Sequence, residues 1–129
     1  MSGTSMDGID ASIISSDGDK KYSIITDKYY KYEEKFREEL VRIRSKVLTN
    51  DDLVSYETEI AKIERELTLL HAYAANDLIK KNDLNIDFIG FHGHTLFHDS
   101  RKKISKQIGD GKLLSQLCKK DVIFDFRKK

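Results

Sequence analysis

The spacing of apolar residues changes several times along this chain, and each change marks an element. Across residues 9–15 they fall at Ile9, Ala11 and Ile13, with Ile14 following, which is the alternation of a half-buried strand. Asp17, Gly18 and Asp19 interrupt it. An Asp-Gly pair between two β-prone runs is a hairpin signal, so this strand is predicted to pair with residues 22–30, rich in Ile, Thr and Tyr. The period then lengthens: Phe36, Leu40, Val41 and Ile43 or Val47 share one face of a helix predicted over residues 33–47. Thr49, Asn50, Asp51 and Asp52 offer an N-cap and acidic first turn, after which Leu53, Tyr56, Ile60, Ile63, Leu67, Leu70, Ala74 and Leu78 recur every three or four positions. This predicts one long amphipathic helix, ending near Lys80, Lys81 and Asn82 with basic residues and a left-handed cap. The same spacing fits a coiled-coil seam, but a helix packed on a sheet needs an identical stripe.

Residues 86–91, IDFIGF, form the short apolar run of a buried parallel strand. They lead directly into His92, Gly93, His94 and Thr95, and open α/β sheets place ligands at such strand ends. Residues 96–98 and 104–108 are weaker strand candidates around a basic turn at 100–103. Gly109, Asp110 and Gly111 then turn the chain into a short helix over residues 112–119, and residues 122–126 form the last strand. These elements predict an α/β fold with a mixed sheet.

Composition narrows the function. At 129 residues the chain is long enough for one domain with a true core. Charged residues make up 35% but nearly cancel to +1, so no nucleic-acid partner is indicated. The lone Cys118 can form neither an internal disulfide nor a thiolate cluster, and its helix position predicts a core residue. With no apolar run long enough for a bilayer and no leader-like start, the expectation is a cytoplasmic protein without a membrane partner. There is no proline, so turns rest on Gly, Asn and Asp.

The densest chemistry lies in residues 1–10, MSGTSMDGID. Gly3 and Gly8 permit close backbone approach, and Ser2, Thr4 and Ser5 add uncharged donors, which together suit a phosphate cradle. Asp7 repels a bare phosphate, so its place there suggests a hard cation such as Mg²⁺ between the two. A mobile Ser/Gly-rich terminus has the same composition. His92 and His94 could form a metal pair from one strand face, but no third ligand stands at suitable spacing. His98 is read as a surface residue, and Arg127 also fits a simple basic tail.

MSGTSMDGID at residues 1–10, IGFHGHTLFHD at 89–99, QIGD at 107–110 and DFR at 125–127 together resemble the N-terminal part of the anhydro-N-acetylmuramic acid kinases. That family belongs to the sugar kinase/Hsp70/actin group. The resemblance implies an incomplete ribonuclease H-like (actin/sugar-kinase-type) domain, residues 1–129 forming a single partial domain that corresponds to the N-terminal lobe, with the C-terminal lobe absent. It implies that Gly3, Thr4, Ser5, Met6, Asp7, Gly8, Ile9 and Asp10 hold ATP, with Mg²⁺ at Asp7. It implies further that His92, His94, Thr95, Asp110, Asp125 and Arg127 line the cleft for an anhydro-muramyl sugar. The family reaction is ATP-dependent hydrolytic opening and 6-phosphorylation of that sugar during cell-wall recycling in the bacterial cytoplasm.

The sequence also departs from the family pattern. Family members carry a strand before MSGTS, placed mid-sheet between residues 9–15 and 86–91, and its lack here is expected to split the sheet. No residue matches the family's catalytic base. His94 stands where HGQT has glutamine, and Lys119 replaces the glycine that would end the last helix. A truncated form inactive alone is therefore the expectation. The alternatives are half of a split kinase completed by a separately encoded C-terminal lobe, a non-catalytic nucleotide- or sugar-binding module, and a coiled-coil module.

Overall fold

A computed structural model describes residues 2–3, 5–99 and 104–126, and within them three two-stranded ribbons lean on one long helix. β1 (Gly8–Ser16) and β2 (Tyr22–Lys31) pair antiparallel as the Asp-Gly signal predicts. Their turn is closed by Asp17, whose carboxylate accepts from the N–H groups of Asp19 and Lys21 at 3.0 Å each, while Gly18 takes φ 78°. α1 (Glu34–Lys46) buries Phe36, Leu40 and Ile43, the i, i+4, i+7 face read from the sequence.

The single long helix expected after Thr49 is in fact two. α2 (Asn50–Ser55) begins at a capping box in which Thr49 and Asp52 exchange side-chain and backbone hydrogen bonds. Tyr56 then leaves helical geometry at φ −106°, ψ 18°, and α3 (Glu57–Asn82) follows. The bend turns Leu53 and Tyr56 onto the same core as Ile60, and the Lys46 ammonium lies 5.3 Å from the Tyr56 ring centre. α3 ends at Asn82 as expected, with Asp83 in the left-handed cap at φ 49°. Its stripe is spent inside the molecule. Ile60, Ile63, Leu67 and Ala74 pack with Ile9, Tyr32, Phe36, Leu40, Ile43, Val47, Leu96 and Ile108, which displaces the coiled-coil reading.

β3 (Phe88–Phe91) and β6 (Asp121–Phe124) pair parallel, β4 (His94–Asp99) and β5 (Ile104–Ile108) antiparallel, and α4 (Gly111–Cys118) carries the chain from β5 to β6. Leu114 and Cys118 of α4 form a second cluster with Ala72 and Phe91, so Cys118 is a core residue. The mixed sheet is divided: among the described residues no ladder joins β1–β2 to β3–β6. Among the described residues an isolated antiparallel bridge, Ser2 to Ile9, is the only pairing beside β1 other than β2. No helix among the described residues is long and apolar enough to cross a membrane.

Polar contacts tie β2 to α3. Asp77 on α3 accepts from Lys28 Nζ at 3.0 Å and the Tyr30 hydroxyl at 2.8 Å, and pairs with Lys81 at 2.9 Å. Lys81, Lys28 and Tyr30 together hold its carboxyl well below the usual carboxylate range. His71 lies in the core on the same helix, 6% exposed, its ring edge-on to Phe91 at 5.0 Å. Burial lowers its pKa to about 4.

Two predictions follow from these details. The neutral His71 of the fold must be charged in the unfolded chain below pH 6.5, so the unfolded state binds more protons between about pH 6.5 and 4. Stability measured by urea unfolding should therefore be full above pH 6.5 and fall by up to roughly 3 kcal/mol by pH 4, a loss that His71→Phe removes. Lys119 occupies the left-handed region at φ 52° to reverse the chain from α4 into β6. Lys119→Gly should raise stability by about 0.5–1 kcal/mol, read as an increase in melting temperature, because only the β-carbon is strained there.

Candidate functional site

Two sites can be built from the sequence motifs, one at the turn before β1 and one at the N-terminus of α4. At the first, the Met6 N–H donates to Gly3 O at 3.1 Å and Met6 itself sits at φ 55°, a conformation that closes a tight turn. The Tyr32 N–H donates to Asp7 O at 2.8 Å and anchors the turn to the end of β2. Gly8 is required where it stands, because a β-carbon would lie 2.5 Å from Tyr30 O and 2.6 Å from the Tyr29 ring. Ser5 Oγ donates to Asp7 Oδ1, and this bond is the main reason the Asp7 carboxyl lies below its ordinary value; the Tyr29 hydroxyl and the Arg37 charge act in the same direction. Asp7 is thus a firmly ionised carboxylate at the surface. Ile9 is a core side chain, 2% exposed, and Asp10 lies on the exposed side of β1. Thr4 lies outside the described residues.

The HGHT segment does two things. His92 is exposed and stacks on Phe126 with ring centres 4.7 Å apart. His94 points the other way: it is 1% exposed, with Nδ1 3.1 Å from Ser2 Oγ, and Ser2 in turn accepts from the Tyr32 hydroxyl at 2.8 Å. Burial lowers the His94 pKa and raises that of Tyr32 to about 12, so both are neutral. Thr95 Oγ1 accepts from Gln107 Nε2 at 3.4 Å. Gly93 at φ 65° brings this turn against β5, where a β-carbon would meet Ile108 O at 2.3 Å.

The second site is a cleft of about 520 Å³ at the start of α4, lined by Glu64, Gln107, Gly109, Asp110, Phe124 and Asp125, with Ser105, Lys106, Gly111 and Lys112 around them. It brings two of the predicted residues together, Asp110 and Asp125. His94 and Thr95 do not line it, and Arg127 lies outside the described residues. Asp110 caps α4, its Oδ1 accepting from Lys112 and Leu113 N–H at 3.0 and 2.9 Å. Asp125 is held at φ 61°. The turn before α4 is clamped from α3: Gly109 N–H donates to Glu64 Oε1 at 2.9 Å and Asp110 N–H to Thr68 Oγ1 at 3.0 Å. Gly109 at φ 138° lets the Phe91 ring and Gly93 approach, and Gly111 leaves room for the Phe124 ring, 2.3 Å from where a β-carbon would be.

Sequence reasoning missed Glu64, Thr68, Phe124 and the pair Lys106 and Lys112. Glu64 and Thr68 stand four apart on one helix face, which is the available signal, but an acid on an amphipathic helix usually marks a solvated side. No group of three or more His, Cys, Asp or Glu side chains among the described residues could hold a metal ion by itself. A cation at Asp7 would need ligands from a bound phosphate, and one carboxylate with an adjacent hydroxyl fits that mode of Mg²⁺ binding.

Comparison with known proteins agrees with the motifs. The sequence model described as anhydro-N-acetylmuramic acid kinase matches residues 1–129. A protein of that name from Pelagibacter ubique is 48% identical over 99% of this chain and 34% of its own length. Similar proteins of the same name from Brucella canis and Agrobacterium fabrum are 35% and 36% identical over 98% of this chain and 35% of theirs. The chain spans about a third of the length of these relatives. On the match along its whole length, this chain belongs to the anhydro-N-acetylmuramic acid kinase family.

Proposed function

We propose that this chain is the nucleotide- and sugar-gripping part of an anhydro-N-acetylmuramic acid kinase of the bacterial cytoplasm, and that it carries out no turnover by itself. The observation that supports it is the meeting of the QIGD turn and Asp125 in one polar cleft. Gln107 and the carboxylates of Asp110 and Asp125 suit sugar hydroxyls, the Phe124 ring suits an apolar sugar face, and Lys106 and Lys112 suit a lactyl carboxylate. Arg127 is assigned to the same carboxylate on the family resemblance. His92, His94 and Thr95 are assigned to the sugar on the family resemblance, and none of the three lines this cleft.

ATP is assigned to Gly3, Thr4, Ser5, Met6, Asp7, Gly8, Ile9 and Asp10, through backbone N–H groups and hydroxyls. Mg²⁺, when bound, supplies the positive charge between phosphate and Asp7. Turnover needs a base within reach of the attacking water. Two of the cleft carboxylates are already engaged, Glu64 by Gly109 N–H and Asp110 by the α4 N-terminus. The divided sheet fits a ribonuclease H-like order in which one further strand lies between β1 and β3. The Ser2 to Ile9 bridge supports this, because it starts an antiparallel strand along β1.

A second reading, half of a split kinase completed by a separate chain, is favoured by the outer face of the β3–β6 ribbon. There Phe88 is 57% exposed, Ile123 47% and Phe126 49%, a surface suited to being covered.

Incubated with ATP, Mg²⁺ and the anhydro sugar, the chain should yield no 6-phosphate by mass spectrometry, and any turnover sinks the inactive reading. By titration calorimetry it should bind Mg-ATP weakly, with Asp7→Asn about tenfold weaker, the size of one lost charge-assisted contact. Equal affinity of the two would remove Asp7 from the metal role. Adding the C-terminal two thirds of the Pelagibacter relative should restore phosphorylation if the split reading holds.

A further inference from the structure

Two side chains on one face of α3, Glu64 and Thr68, hold the turn that opens α4, and they differ in what each has left to offer. Thr68 is fully buried and complete: its hydroxyl donates to Glu64 O at 2.7 Å and accepts from Asp110 N–H at 3.0 Å. Glu64 stands one helical turn earlier, half-buried, in the wall of the cleft. Its Oε1 accepts from Gly109 N–H at 2.9 Å, and among the described residues the carboxylate makes no ion pair and no second hydrogen bond.

Holding a backbone N–H does not require a carboxylate, since Thr68 does the same with a hydroxyl one turn away. A carboxylate accepts at about four positions, so one bond to Gly109 leaves most of its capacity turned to whatever fills the cleft. The same bond fixes a long side chain in one rotamer. Its ordering is thereby completed on folding and is not charged to ligand binding. The contact that keeps Glu64 from swinging out to serve as a base is the one that presents it to a ligand.

We propose that Glu64 is a sugar-binding residue, held in place by Gly109 N–H and accepting a hydrogen bond from the anhydro-muramyl sugar. This rests on the assignment of the cleft to that sugar. An acceptor-only group selects a donor, and the unopened sugar has few. The anhydro bridge takes O1 and O6 and the lactyl ether takes O3, which leaves the O4 hydroxyl and the acetamido N–H. Glu64 binds one of these two.

Glu64→Gln separates the two roles of the side chain, because an amide keeps an acceptor for Gly109 N–H and puts a donor in place of the second carboxylate oxygen. Proton–nitrogen spectra of the ¹⁵N-labelled full chain, titrated with anhydro-N-acetylmuramic acid to millimolar concentration, read both roles. Without sugar, the Gly109 and Asp110 amide signals of Glu64→Gln should match those of wild type. With sugar, its Kd should be about tenfold higher or more. That ratio should vanish for one of two analogues, methylated at O4 or at the acetamido nitrogen, and the analogue identifies the donor. Equal affinity of wild type and Glu64→Gln for the parent sugar, or a ratio kept with both analogues, would overturn the role of Glu64 and leave the cleft assignment standing. A wild-type chain whose signals the sugar does not move would overturn the cleft assignment and this role with it. Should Glu64→Gln fail to fold, the Glu64 Cδ signal of ¹³C-labelled wild type decides: it should shift as the sugar saturates, and a fixed signal in a chain that binds sugar overturns the contact.

Discussion

Everything in this chain depends on what one helix holds. A two-stranded ribbon is marginal in water by itself, and here there are three of them, none hydrogen-bonded to another by a ladder among the described residues. α3, with 26 residues and a length of about 39 Å, is the element long enough to serve them all. Its apolar stripe faces Ile9 of β1, Leu96 of β4 and Ile108 of β5, and Ala72 meets Phe91 of β3. Polar side chains extend that grip on either side of the stripe. Asp77 hooks β2 through Lys28 and Tyr30, while Glu64 and Thr68 hook the turn that opens α4. Hydrophobic burial supplies most of the attraction, but it is non-directional, and the directional bonds are what set where each ribbon sits on the helix.

How much of this the sequence discloses follows from how local each feature is. The β1–β2 hairpin is set by Asp17 and Gly18 within five residues, and α1 and α4 by short apolar periods, so all three are legible. The break at Tyr56 is not. Tyr56 falls on the correct helical position and has no helix-breaking chemistry; it leaves the helix because the core below accepts Leu53, Tyr56 and Ile60 together only across a bend. The meeting of QIGD with Asp125 is legible in outline, since the eight residues of α4 carry the chain directly from β5 to β6. The part played by Glu64 is not, because its partner is a backbone N–H 45 residues away. Lys119 shows residue preference overruled: α4 must reverse into β6 within two residues, and the side chain adopts a glycine conformation to do so.

Glycines decide how closely the motifs approach. Gly93 and Gly109 face each other, and a β-carbon on Gly109 would stand 3.1 Å from the α-carbon of Gly93. The HGHT and QIGD turns therefore touch backbone to backbone, with no side chain to act as a spacer. In such contact a shift of one turn is transmitted to the other, because a packed interior does not deform continuously. His94 begins on the HGHT turn and ends at Ser2, so the same contact reaches back toward the residues around Asp7. That chain of contacts links the two motif groups without any ligand between them.

The β3–β6 ribbon carries the last step of the reasoning. Its strands are parallel, and parallel pairs occur almost only where both faces are covered. The inner face obeys this, with Ile89, Phe91, Val122 and Phe124 against Leu114 and Ala72. The outer face leaves Phe88 and Ile123 half open to solvent, each forgoing part of the roughly 1.5–3 kcal/mol that full burial of such a side chain contributes. A run such as IDFIGF, apolar on both sides, is therefore written for a strand enclosed on two faces, and the contacts here enclose one. The same asymmetry holds at β1, where Ser2 begins an antiparallel pairing beside Ile9. Both surfaces are thus left partly unpaired or uncovered among the described residues, in a chain that spans about a third of its relatives' length.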